Sequence, residues 1–277
     1  MIINDLFLQV KNLVSKNTFN EIIIYIKKLS NLDFLLTDVI TRKETRLFNK
    51  IIKKLSKNVP LAHIIKKKFF YEKNFFINKN VLIPRTETEL LIEETLKYDL
   101  NNKNVFDICC GSGCIGISLK LKIPSINLVL SDISSKALRV CKTNVKQFKI
   151  NNTLIKKADF LNIFLDTNYI PDFIIINPPY IDINDTYISK QTKIYEPHLA
   201  LFAKEDGLFF FNLLFEKLSF LFSLNKKLII ICEFGFKQTQ SIQEIFEKNN
   251  FKFKITFKKD YFNNWRYFVI MNDTDVL

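Results

Sequence analysis

The sequence predicts an α/β protein in which a small helical domain precedes a largely parallel sheet. The first 58 residues contain neither Gly nor Pro, and their apolar residues recur at helical spacing. After Pro84, short apolar runs alternate with helical segments, as in sheets that helices cover on both faces. Only a short polar loop separates the last two runs, so we expect the final strand to run antiparallel as a hairpin.

Two apolar stripes predict helices in the first domain, one in the segment 22–29 and one in the segment 47–55. Aromatic and β-branched runs between Phe69 and Ile83 then predict a connecting hairpin. The resulting division is a helical domain over residues 1–66, a linking hairpin over 67–83 and an α/β domain over 84–277.

Seven apolar runs of the segment 84–277 are predicted to be strands. The segments between the parallel strands have helical character, so the connections are predicted to be right-handed crossovers. The predicted strands are 104–109, 128–132, 154–158, 173–177, 228–234, 251–257 and 266–271, and helices are predicted over 135–148 and 208–222.

The charge of the chain is strongly positive, with 41 Lys and Arg against 28 Asp and Glu and a formal net charge of +13. This permits a nucleic-acid partner. However, Lys is scattered through every segment, which is typical of a solvated surface, and the abundance of Phe, Ile, Lys and Asn is typical of an AT-rich genome. Direct nucleic-acid binding is therefore permitted but not required.

Composition also excludes several classes of protein. No apolar run approaches the roughly 20 residues that span a bilayer, and the first ten residues lack the pattern of a secretory signal, so we expect a cytoplasmic protein without a membrane partner. The five cysteines, an odd number without paired spacing, are expected to be reduced and buried, and no metal site is predicted.

A glycine-rich turn follows the first strand of the sheet. Gly111-Ser112-Gly113 joins this strand to a helix, where glycines let the backbone pass close to a ligand. Asp132, at the tip of the next strand, is placed to accept hydrogen bonds from both hydroxyls of an adenosine ribose. Together with Gly116 the turn also satisfies the dinucleotide fingerprint, so a nicotinamide or flavin enzyme stays open at this point.

A second motif, Asn177-Pro178-Pro179-Tyr180, follows the fourth strand and faces the same crevice. The two prolines fix the backbone and remove two N–H donors, so Asn177 and the Pro178 carbonyl are presented rigidly. A planar –NH2 group can donate one hydrogen to the Asn177 side-chain oxygen and one to the Pro178 carbonyl, while Tyr180 stacks against its plane. The motif therefore favours an amine or amide substrate.

The sequence resembles the S-adenosylmethionine-dependent methyltransferases that modify planar nitrogens, and within them the peptide chain release factor glutamine methyltransferases. The resemblance covers nearly the whole chain and rests on both motifs and on further segments. These are Pro60-Leu61-Ala62-His63, Leu82 to Leu91 with Pro84-Arg85-x-x-Thr88-Glu89, Tyr195-Glu196-Pro197, and Asp260-Tyr261 ahead of Arg266.

The resemblance implies a seven-stranded Rossmann-like class I methyltransferase sheet with an antiparallel last strand. It implies S-adenosylmethionine as cofactor and methylation of the glutamine side-chain nitrogen in the Gly-Gly-Gln motif of class I peptide chain release factors, which are the partners. The implied catalytic residues are Asn177, Pro178 and Tyr180, and the implied substrate contacts are Asn177, Pro178, Pro179 and Tyr180. The implied cofactor contacts are Cys109, Cys110, Gly111, Ser112, Gly113, Asp132, Phe160 and Asn177.

The sequence departs from the family pattern in the glycine-rich loop, where Cys109 and Cys110 replace glycine and threonine. Other residues have structural interpretations: Thr86-x-x-Glu89 is predicted to be a capping box, and Arg85 is either a linker contact or a solvated side chain. Neither His63 nor His198 is expected to act as a ligand or base, and Glu196 is a candidate for the substrate mouth.

Three other functions stay open on the sequence alone. One is methylation of an exocyclic amine of RNA or DNA, since adenine and guanine offer the same planar –NH2 group, and another is methylation of a glutamine in a ribosomal protein. The third is a non-catalytic binding module that keeps the nucleotide fold as a scaffold.

Overall fold

The computed structural model describes residues 1–29, 32–166, 170–249 and 251–272. The chain divides into two compact units, Met1–Lys67 and Lys68–Leu277. The predicted division into helical domain, hairpin and catalytic domain stays a prediction. No helix among the described residues is long and apolar enough to cross a membrane.

The first unit is helical. Its longest helix, α3, begins at a capping box in which Thr41 and Glu44 satisfy each other's backbone N–H groups. Apolar side chains from successive helices form one core, in which Phe19 packs edge-on against Phe48 with ring centroids 5.9 Å apart. The helices are α1 (Ile3–Val10), α2 (Lys16–Lys27), α3 (Arg42–Leu55) and α4 (Leu61–Ile65).

A short hairpin of β1 (Lys67–Phe70) and β2 (Lys73–Phe76) follows. Two residues, Tyr71 and Glu72, form its loop with φ of 41° and 63°, as a two-residue hairpin turn with positive φ at both positions requires. The hairpin therefore occupies a shorter segment than the predicted 67–83.

The second unit contains a seven-stranded sheet in the order β5-β4-β3-β6-β7-β9-β8. All neighbouring pairs from β5 to β7 are parallel, and β9 lies antiparallel between β7 and β8. The predicted α/β fold with an antiparallel last strand is therefore confirmed. The strands are β3 (Asn104–Ile108), β4 (Asn127–Asp132), β5 (Thr153–Lys157), β6 (Phe173–Ile176), β7 (Ile229–Glu233), β8 (Phe253–Lys259) and β9 (Trp265–Asn272).

The connecting helices of this unit pack apolar faces on the sheet. Helix α10 is the longest, and its buried residues share one core with β3, β6 and β7. The helices are α5 (Glu89–Thr95), α6 (Cys114–Lys122), α7 (Ser135–Gln147), α8 (Ile163–Asp166), α9 (Lys190–Tyr195), α10 (Phe209–Leu224) and α11 (Thr239–Lys248).

The strand order reverses at β3, because β4 and β5 continue on one side of it and β6 and β7 on the other. In parallel sheets, ligands bind outside the carboxyl ends of the strands at such a reversal. Both sequence motifs lie at this end of the sheet. The glycine-rich turn follows β3, and Asn177 follows β6, the strand that pairs with β3.

The predicted capping box at Thr86 is wrong. Residues Thr86–Thr88 form a 3-10 turn, and Thr86 is not the residue that precedes the helix. The Glu89 carboxylate instead accepts a hydrogen bond from the Tyr71 N–H at 3.0 Å. The spacing predicted that the Glu89 carboxylate would cap the helix, but in the structure it binds a backbone N–H of the hairpin loop.

Candidate active site

The glycine-rich turn is held in shape by buried polar groups. Asp107, at the end of β3, is fully buried and accepts the Gly116 N–H through Oδ2 at 2.9 Å. Its Oδ1 has no hydrogen-bond partner among the described residues. Burial raises the pKa of Asp107 to about 7, and the nearby charge of Asp132 acts in the same direction.

Three residues of the predicted site have positive φ in this turn. Gly111 and Gly113 have positive φ, which glycine adopts without strain. Cys109 also has positive φ, 59°, in the left-handed region that costs an L-residue about 1–2 kcal/mol. This conformation explains physically why the family pattern has glycine at this position. In this chain the Cys109 side chain makes the same conformation energetically unfavourable.

Asp132 lies at the tip of β4, next to the turn. Its Oδ2 accepts the Gly111 N–H at 2.9 Å, and its Oδ1 accepts the Ser134 N–H at 2.8 Å. Burial raises the pKa of this carboxyl, although the two backbone hydrogen bonds act against the rise. Both oxygens keep a lone pair for a ligand hydroxyl, as the predicted ribose contact requires.

Most of these residues line one cavity beside the turn. Phe160 closes part of its wall, with its ring 5.1 Å from that of Phe210. A Cβ built at Gly111 would meet no atom within 4 Å, so the backbone there is open to a guest. The predicted cofactor residues that line the cavity are Cys109, Cys110, Gly111, Ser112, Asp132, Phe160 and Asn177.

Gly113, also a predicted cofactor contact, does not line the cavity but begins helix α6 below it. A Cβ at this position would lie 2.9 Å from the Cys141 Sγ and 3.0 Å from Ile117, so side chains already fill the space around it. Its structural role is the left-handed turn into the helix.

A second cavity is lined by other residues of the Asn-Pro-Pro-Tyr segment. Pro178 and Tyr180 line this cavity, whereas Pro179 lines the first one. Asn177 lines both cavities. Asn177 and two apolar residues therefore lie between the two cavities.

The Tyr180 side chain is fixed by a buried carboxyl. Its hydroxyl donates to Glu233 Oε1 at 3.0 Å, and burial together with the Glu233 charge holds the pKa of the phenol well above its usual range. The Tyr180 carbonyl accepts a hydrogen bond from Gln238 Nε2 at 2.9 Å, and Gln238 Oε1 accepts the Gly235 N–H. Two elements after β6, the β7 tip and the following loop, thus anchor the motif.

Glu196 does not have a free carboxyl at a substrate mouth. Its side chain is buried and accepts the Ile83 N–H at 2.8 Å and a charged hydrogen bond from Arg85. Of the two interpretations of Arg85, the ion pair supports the linker contact. His198 has a structural contact as well, because its Nε2 lies 2.8 Å from the Lys193 carbonyl and its ring packs on Phe202.

Sequence reasoning missed Glu233, Gln238 and Gly207. A Cβ at Gly207 would lie 2.3 Å from the Tyr180 carbonyl oxygen, so only glycine fits beside the motif there. A charged residue at the end of an otherwise apolar strand was the available signal for Glu233, since that end of the sheet carries the site. Gln238 carries no comparable sequence signal.

Comparison with known proteins identifies the family. Residues 83–200 match the family described as "Methyltransferase small domain". The chain is 41% identical over 246 residues to the release factor glutamine methyltransferase of Mycoplasma mycoides subsp. mycoides SC, covering 88% of this chain and 86% of that one. It is 33% identical over 255 residues to the protein of the same name from Streptococcus pneumoniae, covering 90% and 89%.

The chain belongs to the release factor glutamine methyltransferase family. It is an S-adenosylmethionine-dependent methyltransferase, so the family resemblance and the cofactor prediction are confirmed.

Solved structures agree with the fold. A methyltransferase from Pyrococcus furiosus matches with a TM-score of 0.51 at 13% identity, covering 71% of this chain and 86% of that chain. The N-terminal domain of human METTL16 in complex with SAH matches with a TM-score of 0.51 at 18% identity, covering 72% and 75%. At these identities the likeness supports the methyltransferase fold alone.

Proposed function

We propose that this enzyme methylates the side-chain amide nitrogen of the glutamine in the Gly-Gly-Gln motif of class I peptide chain release factors. Relatives that match most of the chain are named for release factor glutamine. The observation that carries the proposal is that Asn177 lines two cavities, one behind the glycine-rich turn and one beside Tyr180. The first suits the methyl donor and the second a planar amide.

The first cavity fits S-adenosylmethionine. Asp132 has lone pairs free for the ribose hydroxyls, the open side of Gly111 lets the ligand approach the backbone, and Phe160 offers an aromatic wall to adenine. When bound, this cofactor supplies a methyl group made electrophilic by a positively charged sulfur. We therefore assign Cys109, Cys110, Gly111, Ser112, Asp132, Phe160 and Asn177 to cofactor binding, with Gly113 shaping the turn.

The second cavity holds the amide. An amide nitrogen is a poor nucleophile, because its lone pair is delocalised into the carbonyl. Hydrogen bonds from its two N–H groups to Asn177 Oδ1 and to the Pro178 carbonyl would raise the electron density on nitrogen and point it at the first cavity. Tyr180 would stack on the amide plane while Pro179 keeps the segment rigid. The methyl group would pass from sulfur to nitrogen while sulfur keeps the electron pair of the broken bond. The nitrogen would then lose one of its two protons to solvent, so no general base is required beforehand.

Specificity for a protein requires more surface than one glutamine offers. We assign this role to the helical domain over residues 1–66, joined by the 67–83 segment to the catalytic domain over 84–277. Several large apolar side chains of this domain are exposed, which supports contact with a protein. They include Leu8, Leu13, Leu32, Leu35, Leu36 and Val39. The cytoplasmic location expected from the sequence stays a prediction.

Three alternatives have less support. Methylation of an exocyclic amine in RNA or DNA has only the net charge of +13 in its favour, and the relatives' names favour a release factor over a ribosomal protein. The intact constellation around Asn177 argues against a non-catalytic binding module.

The test is mass spectrometry of a purified class I release factor after incubation with the enzyme and S-adenosylmethionine, with total RNA treated in parallel. We expect one added methyl on the Gly-Gly-Gln peptide and a turnover at least about 100-fold lower for Asn177→Ala, the scale of one lost transition-state hydrogen bond. Asn151→Ala, at an exposed loop position, is the matched control. Methyl groups added to RNA, together with an unmodified Gly-Gly-Gln peptide, would refute the proposed substrate. Normal turnover of Asn177→Ala would refute the role of that residue.

A further inference from the structure

Arg85 lines the second cavity and brings a positive charge to it. The other described residues that line this cavity are apolar or carry neutral polar groups. A guanidinium donates hydrogen bonds and accepts none, so a ligand that binds to Arg85 has to offer an oxygen or another acceptor. The charge of Arg85 also acts on Tyr180: burial raises the pKa of this phenol, and the positive charge counteracts the rise.

The ion pair of Arg85 with Glu196 leaves most of the guanidinium free. The Glu196 side chain is 2% exposed, and both of its oxygens are occupied, Oε1 by Arg85 Nη2 and Oε2 by the Ile83 N–H at 2.8 Å. The Arg85 side chain, in contrast, is 38% exposed, and Nη2 is its only nitrogen with a hydrogen-bond partner among the residues that the structure describes. The remaining N–H groups of Arg85 are therefore available to a ligand.

Glu196 also fixes the segment that carries Arg85. Its hydrogen bonds hold Ile83 and Arg85, the two neighbours of Pro84, and Pro84 lines the first cavity. The carboxylate balances the charge of Arg85, so the pair repels the positively charged sulfur of the cofactor less than a lone cation would. Because a buried carboxylate without a partner is strongly unfavourable, the pair keeps Arg85 in place.

The chemistry of methyl transfer limits what Arg85 can hold. The amide nitrogen of the substrate bears hydrogens, so it offers a guanidinium no acceptor. A hydrogen bond to the side-chain carbonyl oxygen would draw the nitrogen lone pair further into that carbonyl and oppose the proposed action of Asn177 and Pro178. A main-chain carbonyl oxygen of the substrate is a strong acceptor without this disadvantage.

We propose that Arg85 binds a main-chain carbonyl oxygen of the release factor at or next to the glutamine, and that Glu196 positions it for this contact. The inference rests on the proposed function and deepens it, since Asn177 and Pro178 hold the reacting amide whereas Arg85 holds the main chain that carries it. A contact made equally in the bound substrate and in the transition state contributes to binding and not to the rate of the chemical step. Its loss should raise KM for the release factor and leave kcat nearly unchanged.

Steady-state kinetics of release factor methylation tests this with three variants. Arg85→Gln removes the charge and most of the donors. Arg85→Gln combined with Glu196→Gln leaves no unpaired carboxylate, so a folding defect of the single variant does not decide the result. Arg139→Gln makes the same substitution at an exposed position of α7 and is the matched control. We expect KM to rise about 10- to 100-fold in both Arg85 variants, the scale of a lost hydrogen bond to a charged group, with kcat within about threefold and Arg139→Gln unchanged.

The affinity for S-adenosylmethionine separates substrate binding from a structural role. If Arg85 only anchored the linker, its loss would release Pro84 and weaken cofactor binding as much as it raises KM. We expect the cofactor Kd of the double variant, measured by calorimetry, to change less than about threefold. A rise of this Kd equal to the rise of KM, or a fall of kcat with unchanged KM, would overturn the inference.

The same kinetics separates this inference from the proposed function. If the unaltered enzyme does not methylate a release factor, the proposed function fails and the inference fails with it. If the unaltered enzyme methylates the release factor and the double variant has the same KM and kcat, only the role of Arg85 is overturned.

Discussion

We expect the buried carboxyl of Asp107 to make the stability of the protein depend on pH. Its carboxyl is buried under the glycine-rich turn, one oxygen has no hydrogen-bond partner among the described residues, and its pKa rises from 3.8 to about 7. Because the folded chain holds this proton to higher pH than the unfolded chain, stability decreases as pH rises from 3.8 to 7. Asp107→Asn removes the titration and keeps an oxygen for the Gly116 N–H.

The magnitude follows from the two pKa values. Relative to low pH, where the carboxyl is protonated in both states, the difference between the two pKa values lowers the free energy of unfolding by about 2 kcal/mol at pH 5 and by about 4 kcal/mol at pH 8. The stability of Asp107→Asn relative to the unaltered protein should therefore increase by about 2–3 kcal/mol between these pH values. Any constant cost of placing an amide nitrogen in the buried site cancels in this difference.

Urea unfolding of both proteins at pH 5, 6, 7 and 8, without cofactor, measures the difference. Asp206→Asn removes an exposed carboxyl from a residue with positive φ, a conformation that asparagine tolerates, and corrects for the change in net charge. A change below about 0.5 kcal/mol over this range would show that the Asp107 pKa is not raised.

Three further variants test the other contacts of the site. Asp132→Asn should weaken S-adenosylmethionine binding about 10- to 100-fold by calorimetry, because a neutral amide accepts ribose hydrogen bonds less strongly than a carboxylate; unchanged affinity would refute the ribose contact. Gly207→Ala should abolish most methyl transfer in a radiolabel assay, because its Cβ would lie 2.3 Å from the Tyr180 carbonyl oxygen, and normal activity would show that the segment can yield. Glu196→Ala should lower the unfolding free energy by about 1–3 kcal/mol in urea, because the Ile83 N–H loses its acceptor, and a smaller loss would mean that water replaces it.

The strands of the sheet could be predicted from the sequence, because buried parallel strands are continuous apolar runs. The run 173–177 was predicted as a strand, and β6 covers Phe173–Ile176. Ends were less accurate where apolar residues extend past the last paired one, as at β8, which begins at Phe253 rather than at residue 251.

Local spacing failed where a distant group decided the outcome. Glu89 fits a capping box by spacing, but the hairpin brings the Tyr71 N–H to its carboxylate. Likewise, Tyr180 and Glu233 are far apart in sequence, and their hydrogen bond forms because the sheet order brings the end of β7 beside the end of β6. Motif residues could thus be predicted one by one, whereas the contacts that orient them depend on the tertiary fold.

The two cavities that share Asn177 also have a consequence for inhibition. On the proposed function each guest has its own compartment, so the geometry does not require one product to leave before the other. A compound that fills both compartments needs a linker past the residues that the two cavities share, and it would gain the effective concentration of a tethered second ligand. Such a compound would distinguish this enzyme from methyltransferases whose second compartment has another shape, because the nucleoside part alone would bind them all.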